Sequence, residues 1–191
     1  MMALRVGKDV FDYINEVKVE KARHAMKKRL QDYAPNPNSI DKLENIDQKY
    51  HLIVFSAEWC GDCVAYVPGL AKSLAMAKND MVQARVVDYD NHRDMADEMN
   101  IRKIPTIIVY DKNWKEIGRF VESPRKYGTV EEELCAILDS TTGAGKSSQT
   151  AELSPGEKSR GIVREKILIL HGSSRGNARH FGRTAFIIRF S

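Results

Sequence analysis

Cysteine is scarce in this sequence, which holds only Cys60, Cys63 and Cys135. Three cysteines are too few for a four-cysteine zinc site, and no suitably spaced pair of histidines completes Cys60 and Cys63 as metal ligands. No stretch approaches the roughly 18 consecutive apolar residues that a membrane-spanning helix needs. The opening residues reach Arg5 and Lys8 before the apolar core of a signal peptide could form. These absences predict a cytoplasmic protein with no membrane partner. Thiols stay reduced in that compartment, which argues against reading the cysteines as a structural disulfide framework.

A net positive charge is missing from most of the chain. Of 30 Lys/Arg and 26 Asp/Glu, residues 141–191 hold nine and three, so the formal net charge of +4 belongs to the tail and residues 1–140 are slightly acidic. The tail lacks regularly interleaved aromatics, and no nucleic-acid partner is predicted. At 191 residues, 42% hydrophobic and 29% charged, the chain has room for one well-buried domain plus appendages.

What is present is an alternation of helical and strand signals. Val10, Phe11, Ile14, Val17, Met26 and Leu30 recur at mostly helical spacing and predict one amphipathic helix, ended by Pro35 and Pro37. Asn38 or Ser39 is placed to cap a short helix through Ile46. The unbroken apolar run Leu52-Ile53-Val54-Phe55 predicts a strand covered on both faces. A helix from Trp59 to about Lys78, kinked at Pro68, comes next. Further strands are expected at 81–87, 106–110 and 116–121, the last two joined by the turn Asp111-Lys112-Asn113-Trp114, which makes Trp114 a surface aromatic. A short helix is expected at 93–99, and a last one from Thr129, capped with Glu132, to about Asp139.

This order predicts an α/β domain over 38–140, with a central mixed four-stranded sheet, two parallel crossovers, a closing antiparallel hairpin and helices on both faces. Residues 1–37 read as an N-terminal helical extension. Residues 141–161, rich in Ser, Thr, Gly, Lys and Glu, read as a flexible linker, and 162–191 as a basic tail. Cys135, between Leu134 and Ile137-Leu138, reads as a small core residue, and His51 and His92 as solvated or capping groups.

The chemistry is expected at Trp59-Cys60-Gly61-Asp62-Cys63, which follows a buried strand and opens a helix. A helix N-terminus offers unpaired N–H groups and partial positive charge, and both favour a thiolate. Cys63 lies one turn further in, close enough to form a disulfide with Cys60. Cys60, nearer the exposed end, is the expected nucleophile, and Cys63 the group that resolves the mixed disulfide. Trp59 is the expected platform beside them.

Phe55-Ser56-Ala57-Glu58-Trp59-Cys60-Gly61-Asp62-Cys63, followed much later by Ile104-Pro105-Thr106, resembles the thioredoxin family. The resemblance covers about residues 38–140 and implies a thioredoxin fold and thiol–disulfide exchange. It also implies that Pro105 is cis and faces the cysteines, with the Ile104 backbone forming an edge against which a substrate segment pairs. Trp59, Gly61, Asp62, Ile104 and Pro105 are accordingly the substrate-side candidates, and Cys60 and Cys63 the catalytic ones. Disulfide-containing client proteins and an upstream disulfide reductase are the implied partners. No cofactor beyond the dithiol and no metal is expected.

Three positions depart from the family pattern. Asp62 replaces a proline, and its carboxylate should oppose thiolate formation at Cys60, whereas Arg102 and Lys103 should favour it. Val54 stands where the family usually buries an aspartate that helps deprotonate the second cysteine. Lys103 replaces a glycine and predicts a more cationic groove suited to acidic partners.

Lys166-Ile-Leu-Ile-Leu-His171-Gly172-Ser173-Ser174-Arg175-Gly176-Asn177 resembles the opening of flavodoxin-like NAD(P)H-dependent FMN reductases, where such a loop cradles the FMN phosphate. Too little chain follows for the on the order of 100 residues of such a domain, so the segment reads as a truncated start without a working flavin site. Gly143-Ala144-Gly145-Lys146-Ser147 is similar to a phosphate-binding loop, but Ser140 stands where that motif needs glycine and a helix precedes it in place of a strand. Two further readings stay open beside the oxidoreductase. One is a redox-inactive interaction module on the same fold, and the other is the remnant of a thioredoxin–flavin reductase fusion.

Overall fold

A computed structural model describes residues 6–142. Thr141 and Thr142, expected in the linker, belong to the last helix among the described residues, and the rest of the linker, the phosphate-loop-like segment, the basic tail and its flavodoxin-like start lie outside them.

Strand β2 (Tyr50–Ser56) is the centre of the sheet, and every residue in it except His51 is buried. It needs apolar side chains at consecutive positions because both of its faces are covered, and successive side chains point to opposite faces. Leu52 and Val54 enter the larger core with Val86, Ile107 and Leu70. Ile53 and Phe55 enter a smaller one with Val87, Met95 and Ile108. β2 pairs in parallel with β3 (Val82–Asp88) and antiparallel with β4 (Thr106–Tyr110), so that Val54 lies opposite Val86 on one side and Ile107 on the other. β5 (Glu116–Val121) adds antiparallel to β4, as the hairpin signal predicts.

Two features of the sheet differ from the expectation. Only one crossover is parallel. The helix between β3 and β4, Arg93–Glu98, has six residues and spans about 9 Å. The strand before it has seven residues and spans about 23 Å. So short a helix does not carry the chain back along the sheet, and β4 starts near the end where β3 stopped and runs the other way. There is also a fifth strand. β1 (Lys8–Asp9) pairs antiparallel with β3 at the sheet edge, Lys8 opposite Val86. Two residues are too few to register as an alternating pattern.

The expected N-terminal helix is two helices, α1 (Val10–Glu16), capped by the Asp9 carboxylate, and α2 (Glu20–Asp32). The apolar spacing runs on through the break, so periodicity cannot reveal it. The cause lies elsewhere in the chain. The Glu58 carboxylate accepts the N–H groups of Lys18 at 2.8 Å and Val19 at 2.9 Å, amides that a continuous helix would use internally. Likewise α3 (Pro37–Glu44) is capped by Asn36, with Pro37 in its first turn, and not by Asn38 or Ser39. α4 (Gly61–Ala77) carries Pro68, α5 is Arg93–Glu98 and α6 is Val130–Thr142. Thr129 caps α6 as expected, its Oγ accepting the Glu132 N–H at 3.4 Å, while the Glu132 carboxylate accepts the Thr129 hydroxyl and not its backbone N–H.

Trp114 is no free surface ring. It takes a left-handed backbone at φ 65° and stacks on His51 with ring centroids 3.9 Å apart. The half-buried His51 is therefore a packing group, and burial lowers its pKa. His92 sits at the start of α5 with its Nδ1 3.0 Å from the Asp88 carbonyl.

Glu131 is fully buried and ties the N-terminal helices to α6. Its two oxygens accept the Tyr33 hydroxyl at 2.6 Å and the Asn36 N–H at 2.9 Å. Glu131→Ala strands both donors, and a destabilisation of about 2–3 kcal/mol is expected. It should appear as a lower urea midpoint at unchanged slope.

Candidate active site

The site is built where β2 ends and α4 begins. Cys60 is the N-cap of α4, and its Sγ accepts the Cys63 N–H at 3.1 Å. A sulfur thus takes the place usually held by a Ser or Asp oxygen at a helix start. Cys60 is 7% exposed and Cys63 fully buried, and both are free thiols. From the other side comes the loop before β4. The Ile104–Pro105 peptide bond is cis, and the Ile104 carbonyl accepts the Cys60 thiol at 3.4 Å. Pro105 is buried behind it, and its carbonyl accepts the Glu122 N–H at 2.7 Å.

An open cleft of about 380 Å³ brings Trp59, Cys60, Gly61, Asp62 and Ile104 together, with Glu122 at its rim. Cys63 lies beneath. The residues singled out in the sequence therefore sit at one place. Trp59 is 65% exposed and is steadied by its Nε1–H, which donates to Asp90 at 2.6 Å.

The two thiols are driven apart. The Cys63 thiol, donating to Cys60, is the largest influence lowering the Cys60 pKa. Burial opposes it, the Cys63 amide adds to it, the Asp62 charge opposes it, and the outcome is a value of about 7. Cys63 is pushed far above the ordinary thiol range, first by burial and then by its bond to Cys60, while the Ala57 amide and the Ser56 hydroxyl pull the other way.

Arg102 and Lys103 do not play the part expected of them. Arg102 pairs with Asp97 and Lys103 with Glu122. With Asp62 and Glu122 beside the two cations, the cleft is of mixed charge and not markedly cationic. Cys135 is buried with its Sγ 3.5 Å from the Ser39 carbonyl, and burial raises its pKa to about 11.

Several residues that shape the site gave no local signal. Glu58 adjoins Trp59 in sequence, but its partners Lys18 and Val19 lie 40 and 39 positions away. Tyr13 reaches Ser56, at the end of β2, with its hydroxyl 3.0 Å from the Ser56 Oγ. Asp90 and Glu122 come from the loops after β3 and β5.

The family profile described as Thioredoxin matches residues 7–134. The chain belongs to the thioredoxin family. Mitochondrial thioredoxin of Mus musculus is 33% identical over 85 residues, covering 44% of this chain and 49% of the relative. Protein disulfide-isomerase of Gallus gallus is 30% identical over 105 residues, 52% of this chain and 19% of the relative. The chain thus spans about half the length or less of these curated relatives. In fold it is similar to a Pseudomonas aeruginosa protein of unknown function, with TM-score 0.64 and 17% identity over 73% of this chain and 96% of that one. As a family member it departs at Val54, which is fully buried between Val86 and Ile107. No carboxylate stands at that position.

A thiol is reactive as its thiolate, which predominates above its pKa. Alkylation of Cys60 by iodoacetamide is therefore expected to rise with pH around a midpoint of about 7, with Cys63 unmodified. Removing the opposing charge in Asp62→Asn should move that midpoint down, measured by mass-resolved alkylation rates.

Proposed function

We propose that this protein is a thiol–disulfide oxidoreductase that reduces disulfides in client proteins. The observation that carries this reading is the placement of the Cys60 Sγ as the cap of α4, on the Cys63 N–H and against the carbonyl of the cis Ile104–Pro105 bond, with Cys63 fully buried beside it; the Cys60 pKa of about 7 agrees with it. An attacking thiol works best when its pKa lies near the ambient pH.

In the forward reaction the Cys60 thiolate attacks one sulfur of a client disulfide. A Cys60–client S–S bond forms, and the other client sulfur leaves as a thiolate that takes up a proton. Cys63, deprotonated in turn, attacks the Cys60 Sγ and expels the second client sulfur. The client gains two electrons, and the protein is left with a Cys60–Cys63 disulfide. An upstream disulfide reductase or a low-molecular-weight thiol restores the dithiol. The backbone of Ile104, beside Cys60, offers an edge for an extended client segment, with Trp59, Gly61 and Asp62 lining the same cleft and the cis bond to the buried Pro105 setting its course.

Dithiothreitol-driven reduction of insulin disulfides is expected to accelerate when the protein is added. Cys60→Ser should lose the acceleration, and Cys63→Ser should accumulate mixed disulfides visible on non-reducing gels. Insulin reduced no faster with the wild type than without it would overturn the reading.

A further inference from the structure

Resolution requires Cys63 to give up a proton while it is fully buried. Val54 supplies no acid or base there. What does touch the Cys63 Sγ, besides Cys60, is the Ala57 amide and the Ser56 hydroxyl. Ser56 is itself fully buried, and its Oγ lies 3.0 Å from the hydroxyl of Tyr13, which is 5% exposed. Tyr13 in turn forms part of the wall of a second cleft, about 350 Å³, together with Glu58, Asp88 and Trp59. Three protonatable atoms, Cys63 Sγ, Ser56 Oγ and Tyr13 Oη, thus form a chain of contacts from the buried sulfur to a residue that lines this second cleft.

We propose that Ser56 and Tyr13 are positioning residues that carry the Cys63 proton to this second cleft and hold the charge left on its sulfur. The inference rests on the oxidoreductase reading. The Cys63 S–H bond breaks and its proton passes to the Ser56 Oγ. The Ser56 proton passes to the Tyr13 Oη, and the Tyr13 proton to water in the cleft. Each hydroxyl accepts one proton and releases one, so both end neutral. The Cys63 thiolate then attacks the Cys60 Sγ, the Cys60–client bond breaks, and the departing client thiolate takes a proton from water.

After the transfer, Tyr13 donates to Ser56 and Ser56 donates to the thiolate. Both contacts that this arrangement needs are present, the Tyr13 hydroxyl within 3.0 Å of the Ser56 Oγ and the Ser56 hydroxyl on Cys63. The groups acting on Tyr13 by charge are the Cys63 sulfur and, besides it, Asp88 from β3 and Glu58 from the loop after β2. Both carboxylates are anionic and favour a tyrosine that stays neutral, as a relay requires. Cys63 is faced by Cys60 and by no formal charge among the influences on it.

The test uses reduced full-length protein and substoichiometric 5,5′-dithiobis(2-nitrobenzoate). Attack by Cys60 releases one coloured thiolate, and resolution by Cys63 releases the second. In Tyr13→Phe the second phase is expected to slow about tenfold, the effect of losing one hydrogen bond, while the first phase keeps the wild-type rate. Ser56→Ala should slow it at least as much, Ser56→Thr should restore it, and the pH midpoint of the second phase should move upward in the two slow variants. The unchanged first phase reports that the site is folded. A second phase at wild-type rate and pH midpoint in both Tyr13→Phe and Ser56→Ala overturns the relay and leaves the oxidoreductase reading standing. A wild type that releases no second thiolate overturns both.

Discussion

The site depends on one hydrogen bond, from the Cys63 amide to the Cys60 sulfur. It makes Cys60 the cap of α4, so the first turn of a 17-residue helix and the reactive atom are fixed by the same contact. A cap with an oxygen would serve the helix equally well. A sulfur there gains the unpaired amides and the helix dipole as stabilisers of its charge. Every group that favours the thiolate also favours the dithiol over the disulfide, so the same contacts that prepare Cys60 to attack make the oxidised pair more readily reduced. Burial and Asp62 pull the other way, and the value near 7 is where these influences meet.

The central sheet was legible because its strands are unmistakable in type. Leu52-Ile53-Val54-Phe55 admits no exposed face, and Thr106–Tyr110 and Glu116–Val121 were found at their observed bounds. The cysteine pair was legible from spacing, and its link to Ile104-Pro105 came from the family resemblance. Hidden were the features decided by contacts distant in sequence. The break between α1 and α2 is made by Glu58, and the direction of β4 follows from the shortness of α5, whose helical signal was read without its length being weighed. Trp114 looks like a solvated turn residue until His51, 63 positions earlier, is seen beneath it.

Charge was the least legible property. Arg102 and Lys103 read as a cationic flank, yet a cation's field depends on its neighbours, and Asp97 and Glu122 are brought alongside only by the fold. Such exposed pairs are individually weak and screened by salt, but they suffice to leave the cleft without a dominant sign. Tyr13 and Ser56 teach the same lesson for neutral groups. Tyr13 belongs to no motif, and only the fold brings it to Ser56, 43 positions later.

Glu58 stands one residue before Trp59 and two before Cys60, and with one carboxylate it grips both amides at the elbow between α1 and α2. The elbow and the reactive loop therefore form a single mechanical unit. Trimming the chain back to Glu20 by a protease would strip away more than a peripheral appendage. It would leave an ungripped carboxylate beside the nucleophile, take Tyr13 from the second cleft, and loosen the strand-to-helix turn from which Cys60 is presented.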